Sequence, residues 1–473
     1  MSPDRLESSP REFAILTAGR FLAEHGVASA FISLLLLIPC FWHSRIQAGD
    51  LGSHVYNAWL AQLVERQQIP GLVIAPQHDN VLFDAMLLHA GDAMGFVAAE
   101  KVCVSIAVLI FFWGCFSFLA AISGRLPWLV IPFLLILTYG YVFHMGFMNY
   151  YISLGLAFLG VAIVWQGGTG NLLLGAALGI LTFVAHPIGL LLFVALAGYV
   201  LVARQLRGRA PWRLLLPVVP LALMPLVRIY FALHGQYQAD WRTANMFKLL
   251  GQDQVELFGT PYTILSGLIF FWAAWSFWAA VYDRVFRAER SSRYFNLAVE
   301  LLLISAFAIA FIPENFRVQL YAGWIGLLVS RLTLVSAILL LLVLNSVALP
   351  RWSGYGFLAL AVVFFGFLYR DTGKLDRMEA SARKAISALP AGTRVVAVAN
   401  APSGWRLIFI HHSIERACVG RCFSVANYEP SSLQFRLRAK PGNHFVTNSV
   451  DTAEAMSSGD YVVEQGDLPL TSL

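Results

Sequence analysis

Apolar runs near the length of a bilayer crossing recur through the first 370 positions of this chain. Such runs restrict the fold more than any other feature, because a crossing helix takes roughly 20 residues and admits few charges. In hydrocarbon only helices and closed barrels satisfy their backbones, and these runs lack the alternation of a barrel strand. With 58% hydrophobic and 13% charged residues the chain reads as mainly α, a polytopic helical membrane protein. Spans are predicted at about 27–43, 98–122, 128–146, 150–166, 171–186, 188–203, 214–232, 262–281, 295–313, 322–345 and 353–369, eleven in all. Residues 1–25 carry Arg5, Arg11 and Arg20 and read as a cytoplasmic amphipathic start rather than a signal peptide.

Charge then orients the chain. The net charge of +6 is carried by arginines in short loops, which points to topology and lipid headgroups and not to nucleic acid. Arg125, the group Arg204, Arg207, Arg209 and Arg213, the group Arg284, Arg287, Arg290 and Arg293, and Arg351 all fall in alternate loops. By the positive-inside rule these loops are cytoplasmic. The opposite face then holds the long first loop 44–97, the turns 144–149 and 186–187, the loops 233–261 and 313–321, and the tail 370–473. Beyond residue 369 the composition turns soluble. A helix over 373–389, a strand over 394–398 and further strands at 405–410, 443–447 and 460–464 predict a small α/β domain. Within it, Cys418 and Cys422 read as a disulfide suited to an oxidising compartment, with a two-cysteine metal site as the rival.

The first loop is far longer than a connector needs to be, and it is rich in acids and histidines. Ser53–Arg66 has helical apolar spacing at Tyr56, Leu60, Leu63 and Val64 and ends at Pro70-Gly71. Such a helix is expected to lie on the membrane surface, with Trp59 at headgroup level. Asp50 precedes it as either a helix cap or a reactive carboxylate, with His54 one turn on. A second short helix over Phe83–His89 would gather His78, Asp79, Asn80 and Asp84 on a rim, a candidate site for a divalent cation, Mg or Mn. The turns add His144, Asn149 and His186 at the same depth as Asp50. Arg228 and Arg331 lie inside spans, where charge is expensive and usually functional. They, with Arg317 and Arg242, are the candidates for holding a lipid phosphate.

A single span, a long outer loop opening on an acid, many further spans and an outer tail resemble the GT-C glycosyltransferase superfamily. The local text is similar too: Gly49-Asp50-Leu51-Gly52-Ser53-His54, then Asn57, Pro70-Gly71 and Asn80-x-x-Phe83-Asp84 look like the first-loop pattern of bacterial members. The resemblance implies transfer of a hexose or pentose from a polyprenyl-phosphate donor to a lipid, glycan or protein acceptor, outside the bacterial cytoplasmic membrane. It places the base, or acceptor-orienting group, on Asp50. Two departures stand out: the second outer loop offers His144 and Asn149 instead of an acid, and the tail lacks a Trp-Trp-Asp motif. The alternative is a transporter, flippase or polymerase-type subunit handling lipid-linked glycans.

Overall fold

The computed structural model describes residues 13–206, 209–234, 238–241, 247–287, 295–317, 325–396, 398, 405–407, 411–432, 434–447, 449–460 and 471–472. Helix α1 (Phe13–Phe41) leads into the first loop, which folds into α2 (Leu51–Glu65), strand β1 (Leu72–Ile74) and α3 (Leu82–Met94). There follow α4 (Phe96–Ser123), α5 (Ile131–Thr138), α6 (Tyr141–His144), α7 (Met148–Gln166), α8 (Thr169–Ala185) and α9 (Pro187–Gln205). Next come α10 (Ala210–Leu215), α11 (Val218–Leu233), β2 (Gln238–Asp240), α12 (Thr260–Arg287), α13 (Phe295–Phe311), β3 (Asn315–Arg317) and α14 (Leu328–Asn345). Helix α15 (Arg351–Ser387) opens the tail, followed by β4 (Thr393–Val396), α16 (His411–Ala417), β5 (Cys422–Ser424), α17 (Glu429–Ser432), β6 (Leu437–Ala439), α18 (Val450–Ser458) and β7 (Thr471–Ser472).

Among the described residues, eight helices are long and apolar enough to cross a membrane, and three shorter apolar helical stretches accompany them. This is the make-up of a polytopic membrane protein. Helices α4, α7 and α14 are buried through most of their length, whereas α11 turns its apolar residues outward. Ring contacts join α4 to α7, Phe111 stacked on Tyr151 at 4.3 Å and Phe118 tilted against Phe158 at 4.8 Å. Between lipid-facing helices burial from water supplies little drive, so such ring packing carries the cohesion. His186 separates α8 from α9 and caps the latter, its Nδ1 accepting from the Ile188 amide at 3.1 Å.

Three expectations change. Helix α2 is covered by protein on two sides, not with one apolar side left open. Leu51, Val55 and Ala58 join the main core on one side while Tyr56 and Leu60 join a second core built with the tail. Trp59 stacks on Phe423 of β5 at 5.7 Å instead of sitting among headgroups. The reason is that the residues read as polar, Ser53, His54, Asn57 and Gln62, are themselves buried and hydrogen-bonded. Second, the short helix at 83–89 extends over all of α3. Third, the compositional break at 369/370 falls inside the continuous helix α15.

The tail is therefore knitted to the first loop. Strand β1 pairs antiparallel with β6, Val73 opposite Arg438, while β5, β4 and β7 form a parallel three-stranded sheet. Segments 405–407 and 443–447, expected as strands, have no ladder of their own, although the Thr447 amide donates to the Val425 carbonyl at 2.9 Å. Residues 408–410 and 461–464 lie outside the described residues. The sulfurs of Cys418 and Cys422 are bonded and fully buried, their Cα atoms 4.6 Å apart, just after α16.

Behind this junction lies a buried ionic cluster. Arg416 reaches Glu100 at 3.1 Å, Glu379 at 2.5 Å and the Ile46 carbonyl at 2.8 Å, and Arg45 reaches Glu100 at 3.2 Å. It ties α4, α15, α16 and the start of the first loop together.

Candidate active site

The site forms where the first loop, the α6–α7 turn, the start of α14 and the tail meet. The amides of Gly49 and Asp50 donate to the carbonyls of His144 and Met145 at 2.7 and 2.9 Å. This close approach needs Gly146, whose φ is +80° and whose Cβ would stand 2.5 Å from the amide nitrogens of Asp50 and Leu51. On the other side a Cβ at Gly52 would stand 2.1 Å from the His412 carbonyl oxygen. The Asp50 turn is thus clasped between the membrane bundle and α16.

Asp50 stands immediately before α2, but its backbone is helical (φ −64°, ψ −9°) and its side chain caps nothing. Its Oδ1 is buried without a hydrogen-bond partner among the described residues, while the side chain as a whole keeps 16% exposure. A structural carboxylate would be paired. Burial pushes its pKa up, and the charges of His54 and Arg331, together with that of His412 when its ring is protonated, pull against that shift.

His54 points the other way. Its Nδ1 lies 2.7 Å from Asp84 Oδ1, and Asp84 Oδ2 accepts from Asn149 Nδ2 at 2.8 Å. Asn149 Oδ1 accepts in turn from the Phe83 amide at 2.7 Å, so a residue of α7 satisfies the free first turn of α3. Burial would lower the His54 pKa, but the Asp84 charge and hydrogen bond outweigh it and raise it to about 9. Asp84 is held below its ordinary value, burial opposing and His54 prevailing. The pair is ionic at neutral pH.

In the rim expected from His78, Asp79, Asn80 and Asp84, both oxygens of Asp84 are engaged by His54 and Asn149. No group of three or more His, Cys, Asp or Glu suited to a metal occurs among the described residues.

Arg331, near the start of α14, lies over the rings of Phe147 at 4.6 Å and Tyr150 at 5.6 Å. Its Nε is buried without a hydrogen-bond partner among the described residues. The Tyr150 hydroxyl donates to the Arg331 carbonyl at 2.9 Å, and His186 packs edge-on against the Tyr150 ring at 5.6 Å. His144 Nδ1 meets the Gln47 carbonyl at 2.9 Å. The remaining arginines lie elsewhere. Arg228 is exposed on α11 over the Trp241 ring at 5.6 Å, and Arg317 is exposed on β3 opposite Gln238. Arg242 lies outside the described residues.

The tail supplies the residues that sequence reasoning missed. His412 Nε2 stands 3.6 Å from Asp50 Oδ1, and His412 Nδ1 stands 2.8 Å from Glu415 Oε2. Ser53 donates to Glu429 at 2.6 Å, and Asn427 donates to Asn57 at 2.7 Å. Burial raises the Glu429 pKa to about 8, against the pull of His54. His412 and Glu415 are three apart on one helix, the single local signal that they act together.

No protein-family model, curated protein or solved structure matches the chain.

Proposed function

We propose that this chain is a membrane glycosyltransferase of the GT-C type. It moves a hexose or pentose from a polyprenyl-phosphate donor to a lipid, glycan or protein acceptor on the outer face of a bacterial cytoplasmic membrane. One observation carries the reading: a half-buried carboxylate that caps no helix, with one buried oxygen unbonded, lies in the field of a half-buried arginine that pairs with no carboxylate among the described residues. Perturbed, unpaired charges of opposite sign gathered where several elements meet are a signature of reactive sites.

In the reaction, Asp50 takes the proton of an acceptor hydroxyl as its oxygen attacks the anomeric carbon from the face opposite the donor phosphate. The bond from that carbon to the phosphate oxygen breaks with inversion, and the phosphate leaves already charged. Arg331 is the group for that charge, with Tyr150 and His186 shaping its surroundings. Unlike glycoside hydrolysis, the departing phosphate needs no protonating acid. His54, Asp84 and Asn149 hold α2 and α3 in register around the base. No step runs through a cation; Mg or Mn accompanying the donor phosphate is a separate proposal, which transfer in EDTA tests.

The finer topology belongs to the same reading: eleven spans, with 44–97 and the tail outside the cytoplasm. The arginine pattern and the gathering of 44–97, 144–149, 186 and the tail at one end of the bundle support it.

The experiment is Asp50→Asn in proteoliposomes containing polyprenyl-phosphate sugar. Transfer should fall by about 10²–10⁴-fold, with donor binding and thermal stability kept. Undiminished transfer would sink the assignment, and movement of intact lipid-linked glycan without transfer would favour a transporter.

A further inference from the structure

Asp50 is approached by positive groups on two sides. His54 stands one turn along α2, with Asp84 of α3 behind it, and Arg331 comes from α14. Tyr428 packs its ring 5.8 Å from that of His412, and Glu429 bears on His54 from the same segment. Cations beside a carboxylate make it a weaker base. Burial works against them, and a hydrogen bond reserved for the protonated form would work the same way.

The geometry of α16 supplies it. His412 is fully buried and Glu415 nearly so, and the Nδ1 contact to Glu415 fixes the plane and tautomer of the ring. With Glu415 ionised, Nδ1 carries the proton and Nε2 turns its lone pair toward Asp50 Oδ1. The 3.6 Å separation is too long for a hydrogen bond, as expected of two facing acceptors. Once a proton sits on Asp50, the same two atoms become donor and acceptor. A hydrogen bond open to the protonated form alone strengthens a base. Burial also lowers the His412 pKa to about 4, so near neutrality the ring is an uncharged acceptor, not a third cation.

We propose, resting on the reading of Asp50 as the base, that Glu415 and His412 are positioning residues that set its basicity. Glu415 holds the ring, and His412 Nε2 receives the hydrogen bond of the Asp50 carboxyl after the acceptor hydroxyl has given up its proton. The proton moves from the acceptor oxygen to Asp50 and is shared with Nε2. It returns to water through Asp50 when the product leaves.

The test reads Asp50 directly. A hydrophobic carbodiimide reacts with protonated carboxyls, and mass spectrometry of the full-length protein in detergent gives the pH midpoint of Asp50 labelling. In His412→Gln, whose freely turning amide can donate to ionised Asp50 as well as accept from the protonated form, the preference for the protonated form is lost and the midpoint should fall by at least about 0.5 pH unit. Glu415→Gln, which keeps volume and removes the partner's charge, should move it the same way by less. Both variants should shift the acidic limb of sugar transfer to lower pH and lower its plateau. Midpoints unchanged in variants that unfold at the wild-type temperature overturn the proposal. If His412→Gln fails to fold, the folded Glu415→Gln decides alone. Labelling needs no substrate, so a chain that transfers no sugar would sink the transferase reading while the midpoints still judge the dyad.

Discussion

His54 and Asp84 form an ion pair shielded by α2, α3 and α7, and its worth depends on pH in a way the two shifts fix. His54 is raised, so its contribution is complete below its ordinary 6.5 and is lost as pH climbs through about 9. Asp84 is depressed, so its contribution is complete above its ordinary 3.8 and is lost as pH falls below that. Thermal stability due to the pair should therefore be flat between these limits and decline outside them. Asp84→Asn should flatten that profile and cost about 3 kcal/mol by leaving His54 buried without its partner, measured by thermal unfolding in detergent. Glu429 has the opposite sign: raised to about 8, it makes the fold less stable as pH rises from 4.5 toward 8. Glu429→Gln should leave stability near pH 5 unchanged and remove that slope. At Gly146 a methyl would meet the Asp50 and Leu51 amides, so Gly146→Ala should depress transfer more than donor binding.

Among the elements, the short helix α16 carries three buried polar residues, His412, Glu415 and Arg416, and the disulfide follows it. Arg416→Ala would leave Glu100 and Glu379 buried without their cation, and an uncompensated pair of this kind costs about 3–5 kcal/mol. Replacing Cys418 and Cys422 by Ser should cost less, about 2 kcal/mol, because the bridge closes residues only four apart. Unequal shifts in unfolding temperature check that order. Sequence exposed some elements and hid others for physical reasons. The apolar runs and the stop at Pro70-Gly71 placed helices such as α4, α7, α9 and α2 within a few residues, since periodicity and backbone breakers are local. They did not show the break of 128–146 into α5 and α6 or the run of α15 to Ser387. The burial of Ser53, Asn57 and Gln62 was illegible, because their partners include Glu429 and Asn427, far along the chain. Strands β1 and β6, three residues each, are too short to show alternation. His412 approaches Asp50 only because Gly52 and Gly146 admit the backbones on either side, a fact of packing and not of spacing.

At the scale of the whole molecule, the first loop and the tail share one core although most of the membrane bundle separates them in sequence. A chain ending after residue 390 should therefore leave Tyr56, Leu60, Ile69 and Leu72 uncovered. Limited proteolysis should then cut within 44–94, where the full chain is protected; equal protection would refute the shared core. The pairing of β1 with β6 also reaches into biosynthesis. At roughly 5–20 residues per second, the ribosome takes on the order of 20–70 s to proceed from α2 to the strands and helix that cover it. Throughout that interval Asp50 has neither its α16 neighbour nor its second core. The first loop is therefore made long before the segments that complete its core, and 44–94 lacks that cover throughout the interval.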